Sequence, residues 1–252
     1  MKINGIFFDL YGTLLIYGDM AAAWSDWLTE FYRHLSRHGL SLTKEYFAKQ
    51  CDQFFGKDEP LVQPDGLTVF ERRIQALCLD LKLYVEVNEI KRIANSIANV
   101  WQQHILLDPD CRPVLQALRP HKTLGIISNF DHPPHVFTLL SELELQEFFN
   151  VVVISGDVGV KKPDPKIFNL TLKQAGLQPN EVVYVGDTEE DVTGSLSAEI
   201  IPIFIQRARS DQDGSAFDFK TEYRSTQTQP NTKNMTGVRT IATLPELIDI
   251  VL

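Results

Sequence analysis

The 252-residue chain is 44% hydrophobic and 23% charged, proportions of a folded protein that exclude global disorder. Its formal charge of −9 excludes a broad electrostatic surface for nucleic acid or anionic membrane and favours a small-molecule substrate. Cys51, Cys78 and Cys111 lie far apart without metal-ligand spacing and cannot all pair, which points to a reducing cytoplasm, and no apolar run reaches transmembrane length.

Ile3 to Leu10 is a short apolar run closed by Tyr11-Gly12-Thr13, the pattern of a buried strand that delivers Asp9 to a loop at its carboxyl end. From Met20 the period becomes helical, with Trp24, Trp27, Leu28, Phe31 and Leu35 on one face and Gly39 as a stop. Further helices are predicted over Thr43 to Phe55, Thr68 to Leu81 and Asn88 to Ile105, so residues 18–107 form an all-helical insertion. After Asp108-Pro109 helix and strand alternate. Strands are predicted at Thr123 to Ser128, Val151 to Ser155, Val182 to Gly186 and Ile200 to Ile205, with helices between them, which implies βαβ units and a parallel sheet. Residues 207–237 are polar and aperiodic and read as a surface loop without chemistry. Thr240 to Leu252 supplies one more short strand and a closing helix beginning near Pro245.

Polar residues mark three strand ends: Asp9, Ser128-Asn129 and Asp187. In open parallel sheets the carboxyl ends of the strands are where ligands bind. Lys162, in Lys161-Lys162-Pro163-Asp164-Pro165, precedes a helix beyond another strand and can bring a cation to the same mouth. Each feature alone has a plain structural explanation. An Asp at a strand end is a turn former, Ser128-Asn129 is a helix cap before Pro133-Pro134, and Glu189 and Glu190 suit an acidic helix start. His132 and His135 read as surface loop residues, Lys161 as the solvated neighbour of Lys162, and the aromatics Trp24, Trp27, Phe31, Tyr46, Phe47, Phe54 and Phe55 as core packing.

Taken together, Asp9-Leu10-Tyr11-Gly12-Thr13, Ser128-Asn129, Lys162-Pro163 and Gly186-Asp187 with Asp191 resemble, in order, the four motifs of haloacid dehalogenase-like hydrolases. The resemblance implies a doubly wound, Rossmann-like α/β core over 1–17 and 108–252, carrying a smaller helical cap domain over 18–107 whose closure excludes water. It implies Asp9 as the nucleophile of an aspartyl-enzyme intermediate. Mg²⁺ would be held by Asp9, the Tyr11 carbonyl and Asp187, with Asp191 as a further ligand or, by preference, as an orienting group. Ser128 and the Asn129 amide would bind the transferred group, Lys162 would neutralise charge beside Asp9, and Thr13 would help fix the loop.

The pattern departs at Tyr11, where phosphatases of the family carry a second aspartate as acid and base. Tyrosine there is also what 2-haloacid dehalogenases show, whose halide leaves without a proton. A metal-independent haloacid dehalogenase is therefore the rival to a Mg²⁺-dependent phosphatase acting on a small phosphate ester, and a catalytically weakened binding protein is a third reading. Against the dehalogenase stands the acidic turn Asp187, Glu189, Glu190, Asp191, whose carboxylates repel one another unless a cation binds. The cap arginine that dehalogenases use has Arg33 and Arg37 as candidates, and both read as solvated positions of an amphipathic helix.

Overall fold

In a computed structural model, residues 2–52, 54–60, 65–207 and 237–252 are described. The polar stretch read as a loop lies, apart from Arg207 and Gly237, outside the described residues. The described residues form two compact units, one of 2–17, 106–207 and 237–252 and the other of 18–105.

The first unit is built on a six-stranded parallel sheet. Its strands are β1 (Gly5–Phe8), β4 (Thr123–Ser128), β5 (Val151–Ile154), β6 (Val182–Gly186), β7 (Ile201–Ile205) and β8 (Arg239–Ile241), in the order β5-β4-β1-β6-β7-β8. The chain builds outward from β1 on one side, then returns to build the other, so β1 and β6 flank the point where the winding reverses. That crevice is where doubly wound sheets place their ligands.

Ile6, Phe7 and Phe8 are all buried, as are Leu124, Ile126 and Ile127 on β4 and Val183, Tyr184 and Val185 on β6. Both faces of the sheet are covered, which is why these strands read as continuous apolar runs rather than alternating ones. On one face Phe7, Ile127, Val153 and Tyr184 pack with Ile167, Phe168 and Leu172 of the helix Pro165–Ala175. That helix starts where Asp164 accepts from the Lys166 amide and Pro165 takes the first helical position. The other α-helices among the described residues of this unit are Cys111–Leu118, Pro133–Glu142, Ser155–Val158, Glu189–Ser197 and Ile248–Val251.

Several expected boundaries move. β1 is shorter than Ile3 to Leu10, because Asn4 already pairs with Glu181 and Thr123 at the strand's start and Leu10 accepts from Leu14 and Leu15 in the turn at its end. Two short strands, β2 (Leu15–Tyr17) and β3 (Ile105–Leu107), pair with each other; the insertion is thus not helical to its last residue. Ser128 and Asn129 do not cap the helix Pro133–Glu142. His132 holds the N-cap position without a side-chain bond, since two prolines fill the first helical positions and leave two fewer amides to satisfy. His132 and His135 are buried rather than on the surface. His135 stacks on Phe130 with centroids 5.7 Å apart, and burial pushes both imidazoles down to about 4, His135 further opposed by His132, so both are neutral near pH 7.

The second unit comprises the helices Met20–Arg37, Lys44–Cys51, Val69–Asp80 and Val87–Gln102. Asp19, Thr43 and Thr68 cap the first three, the last with a reciprocal bond from the Thr68 amide to Glu71. Trp27, Phe31, Phe47 and Phe54 form the expected aromatic core, with Trp27–Phe31 and Phe31–Phe47 centroids 5.2 and 5.3 Å apart. Tyr46 departs from that expectation and is 60% exposed. Arg33 and Arg37 are exposed, and Arg33 is bound to Glu30. No helix among the described residues is long and apolar enough to cross a membrane.

Candidate active site

Asp9 immediately follows β1, and its amide donates to the Val185 carbonyl on β6 at 2.8 Å. Phe8 stands opposite Ile126 of β4 and Val185 of β6. This register carries Asp9, Ser128 and Asp187 to one edge of the sheet at the winding reversal. Lys162 approaches from the loop before the helix Pro165–Ala175 and is 4% exposed, whereas Lys161 is exposed.

The lysine is the hub. Its Nζ donates to Asp9 Oδ1 at 2.6 Å, to Asp191 Oδ1 at 2.6 Å and to the Tyr184 hydroxyl at 3.0 Å. An ammonium has three protons, so each meets an acceptor. Burial would strip its charge, but Asp191 and Asp9 outweigh that and hold it protonated well beyond the ordinary lysine range. Its backbone is held by Asn129, whose side-chain oxygen accepts from the Lys162 amide at 2.8 Å and whose Nδ2 donates to the Lys162 carbonyl at 3.0 Å. The peptide bond between Lys162 and Pro163 is cis.

Asp191 sits at the third position of the helix Glu189–Ser197, in a capping box with Thr188. Its Oδ1 is bound by Lys162 and by the Tyr184 hydroxyl at 3.0 Å, and its Oδ2 by the Thr188 amide and hydroxyl at 3.0 and 2.7 Å. Four hydrogen bonds fill the usual capacity of a carboxylate. Asp9, Asp187 and Asp191 nevertheless stand close enough to offer one oxygen each within 4.8 Å of one another. Two glycines permit this crowding: a Cβ on Gly12, at φ +98°, would lie 2.3 Å from Asp187 Oδ2, and one on Gly186 would lie 2.4 Å from the Asp191 side chain.

The donor set suits a hard divalent cation. With all three carboxylates ionised against one ammonium, a largely buried mouth carries two negative charges in excess, which a divalent cation would balance. In the absence of a cation, burial pushes the Asp9 carboxyl up to about 8, Lys162 pulling it down and Asp191 and Asp187 pushing it further up. Thr13 is fully buried, and its hydroxyl has no hydrogen-bond partner among the described residues. Ser128 is buried at the end of β4.

Tyr11 is buried, with its ring stacked on Phe130 at a centroid distance of 5.0 Å, and its carbonyl receives a long hydrogen bond of 3.4 Å from Tyr17. Burial and then the charge of Asp9 push its phenol well above the usual tyrosine range. Sequence reasoning missed Tyr184. Its hydroxyl, below Lys162 and Asp191, is also 3.2 Å from the Ile127 carbonyl, and an apolar strand pattern gives no sign that one member carries a used hydroxyl.

The family profile described as haloacid dehalogenase-like hydrolase matches residues 3–198, a span that takes in every side chain of this mouth. The chain belongs to the haloacid dehalogenase-like hydrolases. It is 30% identical to the phosphoglycolate phosphatase of Photorhabdus laumondii over 198 residues, covering 78% of this chain and 77% of that enzyme. It is 41% identical to the glyceraldehyde 3-phosphate phosphatase of Methanopyrus kandleri over 103 residues, 40% of this chain and only 44% of that one's length. Among solved structures, the fold matches a HAD phosphatase from Thermococcus onnurineus (TM-score 0.64, 23% identity, 99% and 98% of the two chains). It matches the 2-haloacid dehalogenase from Pseudomonas syringae equally well (TM-score 0.63, 18% identity, 99% and 98%). The fold alone therefore does not choose between the two chemistries.

Proposed function

We propose that this hydrolase is a Mg²⁺-dependent phosphatase of small phosphate esters, working through an aspartyl-phosphate formed on Asp9. The observation that carries the reading is the convergence of three carboxylates, Asp9, Asp187 and Asp191, of which Lys162 bonds Asp9 and Asp191, so that full ionisation leaves two negative charges in excess. A haloacid dehalogenase needs an uncoordinated nucleophile and has no use for that excess. The two relatives named above are phosphatases, which supports the same choice. In this reading the catalytic core takes residues 1–17 and 108–252, and the helical cap takes 18–107.

Asp9 and Asp187, with the Tyr11 carbonyl, would hold the cation. Mg²⁺ bound there would offset the carboxylates and draw charge from the phosphoryl oxygens. A carboxylate oxygen of Asp9 attacks phosphorus, the bond from phosphorus to the ester oxygen breaks with that oxygen taking a proton from solvent, and water then cleaves the aspartyl-phosphate to inorganic phosphate and free Asp9. Lys162, kept charged between Asp9 and Asp191, stabilises the charge that builds on the phosphoryl group. Asp191, with its four hydrogen bonds, orients Lys162 instead of reaching the cation. The Asn129 side chain is engaged with the Lys162 backbone, so its contribution to phosphate binding is assigned to the backbone amide, beside Ser128. Thr13 fixes the loop that carries the nucleophile.

Tyr11 favours one other reading, the metal-independent dehalogenase. A panel of phosphate esters and 2-haloacids, assayed with Mg²⁺ and with EDTA, separates the two. The expected result is phosphate release that EDTA abolishes. Chloride release from 2-chloropropionate that EDTA leaves intact would replace the proposal with the dehalogenase, and Mg²⁺-dependent phosphate binding with no turnover would replace it with a binding protein.

Cation binding also carries a pH signature. Because the folded Asp9 carboxyl lies near 8 and the unfolded one near 4, the metal-free protein gains from a protonated Asp9. That gain is fully present below the unfolded value and is lost as pH rises through about 8. Mg²⁺ must displace this proton. Its affinity is therefore expected to rise by up to about tenfold per pH unit between pH 6 and 8 and to level off above. Calorimetric titrations with Mg²⁺ across that range measure it, and a flat profile would mean that Asp9 titrates like an ordinary aspartate.

A further inference from the structure

Arg207 lies two residues beyond β7, at the same carboxyl edge of the sheet as Asp9 and Asp187. Its Nη1 donates to the Gly12 carbonyl at 2.6 Å, its Nη2 donates to the Thr13 carbonyl at 2.6 Å, and Nη2 also pairs with Asp108 Oδ2. From this geometry we infer that Arg207 is a positioning residue, which fixes the loop of the nucleophile by holding two consecutive peptide carbonyls and Asp108 in one guanidinium fork. The inference rests on the reading of Asp9 as the nucleophile.

The loop between β1 and β2 has to be held from outside. Gly12 takes a backbone conformation that side chains disfavour, and its Cα faces the Asp187 carboxylate too closely for any Cβ. One side of this peptide is thus pressed against a candidate cation ligand, while its carbonyl is gripped by Arg207. Asp108, the third partner, is itself well fixed. Its amide donates to the Leu14 carbonyl at 3.1 Å, its Oδ1 accepts from the Asp110 amide at 2.8 Å, and its carbonyl accepts from the Cys111 amide at 2.9 Å. Asp108 therefore ties the strand leaving the loop to the segment where the chain returns from the helical insertion, and its charge orients the fork.

An arginine suits this task better than a lysine. Its planar head presents several donors in fixed directions, so it can serve two carbonyls and a carboxylate at once, whereas an ammonium on a flexible stem would hold one or two without setting their relative positions. Displacing a reacting group by about 1 Å can cost roughly 10²-fold in rate. The expected defect of an Arg207 variant is thus in turnover and not in substrate binding.

Arg207→Lys and Arg207→Ala test this with p-nitrophenyl phosphate and by hydrogen exchange. Turnover is expected to fall about 10²-fold in Arg207→Ala, with KM changed by less than about threefold. Added guanidinium, below denaturing concentrations, should restore part of it while ammonium does not. Amides 12 to 15 should exchange faster in both variants, with those of β5 unchanged. Should Arg207→Ala fail to fold, Arg207→Lys carries the test, since it keeps the charge beside Asp108. Unchanged exchange at residues 12–15 in Arg207→Lys, or a loss confined to KM, would overturn the inference. Should the wild type hydrolyse no phosphate ester, the reading of Asp9 fails, and the exchange measurement still decides whether Arg207 holds the loop.

Discussion

Asp9→Asn is expected to lower turnover of phosphate esters by about 10⁵-fold or more while leaving the melting temperature unchanged or higher. The amide cannot attack phosphorus to give an intermediate that water cleaves. It keeps the shape of the carboxyl, which matters because Asp9 is 5% exposed and its side chain accepts from Lys162. The stability half of the expectation follows from charge. Once Asp9 ionises, as pH rises through about 8, one ammonium serves three carboxylates, and removing that charge leaves Lys162 paired with Asp191, to which it already donates at 2.6 Å. Repulsion falls while the principal ion pair survives.

Two measurements separate this from a trivial loss. A melting curve shows whether the variant is folded, and acid-quenched wild type mixed with labelled substrate shows whether phosphate resides on Asp9. Full activity of Asp9→Asn across the ester panel would sink the proposed chemistry. A wild type that turns over without ever holding phosphate on Asp9 would instead point to direct attack by water.

Most of this site was legible because its components mark the ends of strongly patterned elements. An apolar run that stops at Asp9, and another that stops at Gly186-Asp187, announce buried parallel strands and leave little choice about which end faces the ligand. What was not legible depends on pairing over long separations. β2 and β3 have three residues each and about ninety residues between them, so no local period reveals them. Tyr184 looks like one more apolar strand residue until its hydroxyl is placed under Lys162. Arg207 begins a stretch whose composition suggests only a loop, and nothing local says that its head reaches the carbonyls of residues 12 and 13. The burial of the histidines near β4 is hidden in the sequence for a related reason. Polarity and two prolines suggest surface, yet His135 is buried and stacks on the half-buried ring of Phe130.

The second large effect is expected from Tyr11→Asp, and it has the opposite sign. A carboxyl two residues after the nucleophile would supply the acid and base that this site lacks, typically worth about 10²- to 10⁴-fold. The gain should depend on the substrate. Alkyl phosphates, whose alkoxide needs a proton to leave, are expected to speed up by about 10²-fold, while p-nitrophenyl phosphate, whose leaving group is stable as an anion, should change little in the first step. Stability should fall, because the tyrosine ring is buried and stacked on Phe130, a contact whose removal costs about 2 kcal/mol. Tyr11→Phe is the control. Burial and Asp9 hold the phenol proton tightly, and Tyr11→Phe is expected to retain most of its turnover. A drop of about 10²-fold in Tyr11→Phe, with no gain in Tyr11→Asp, would mean that the phenol is itself the proton donor and that the family's acid has been replaced here, not lost.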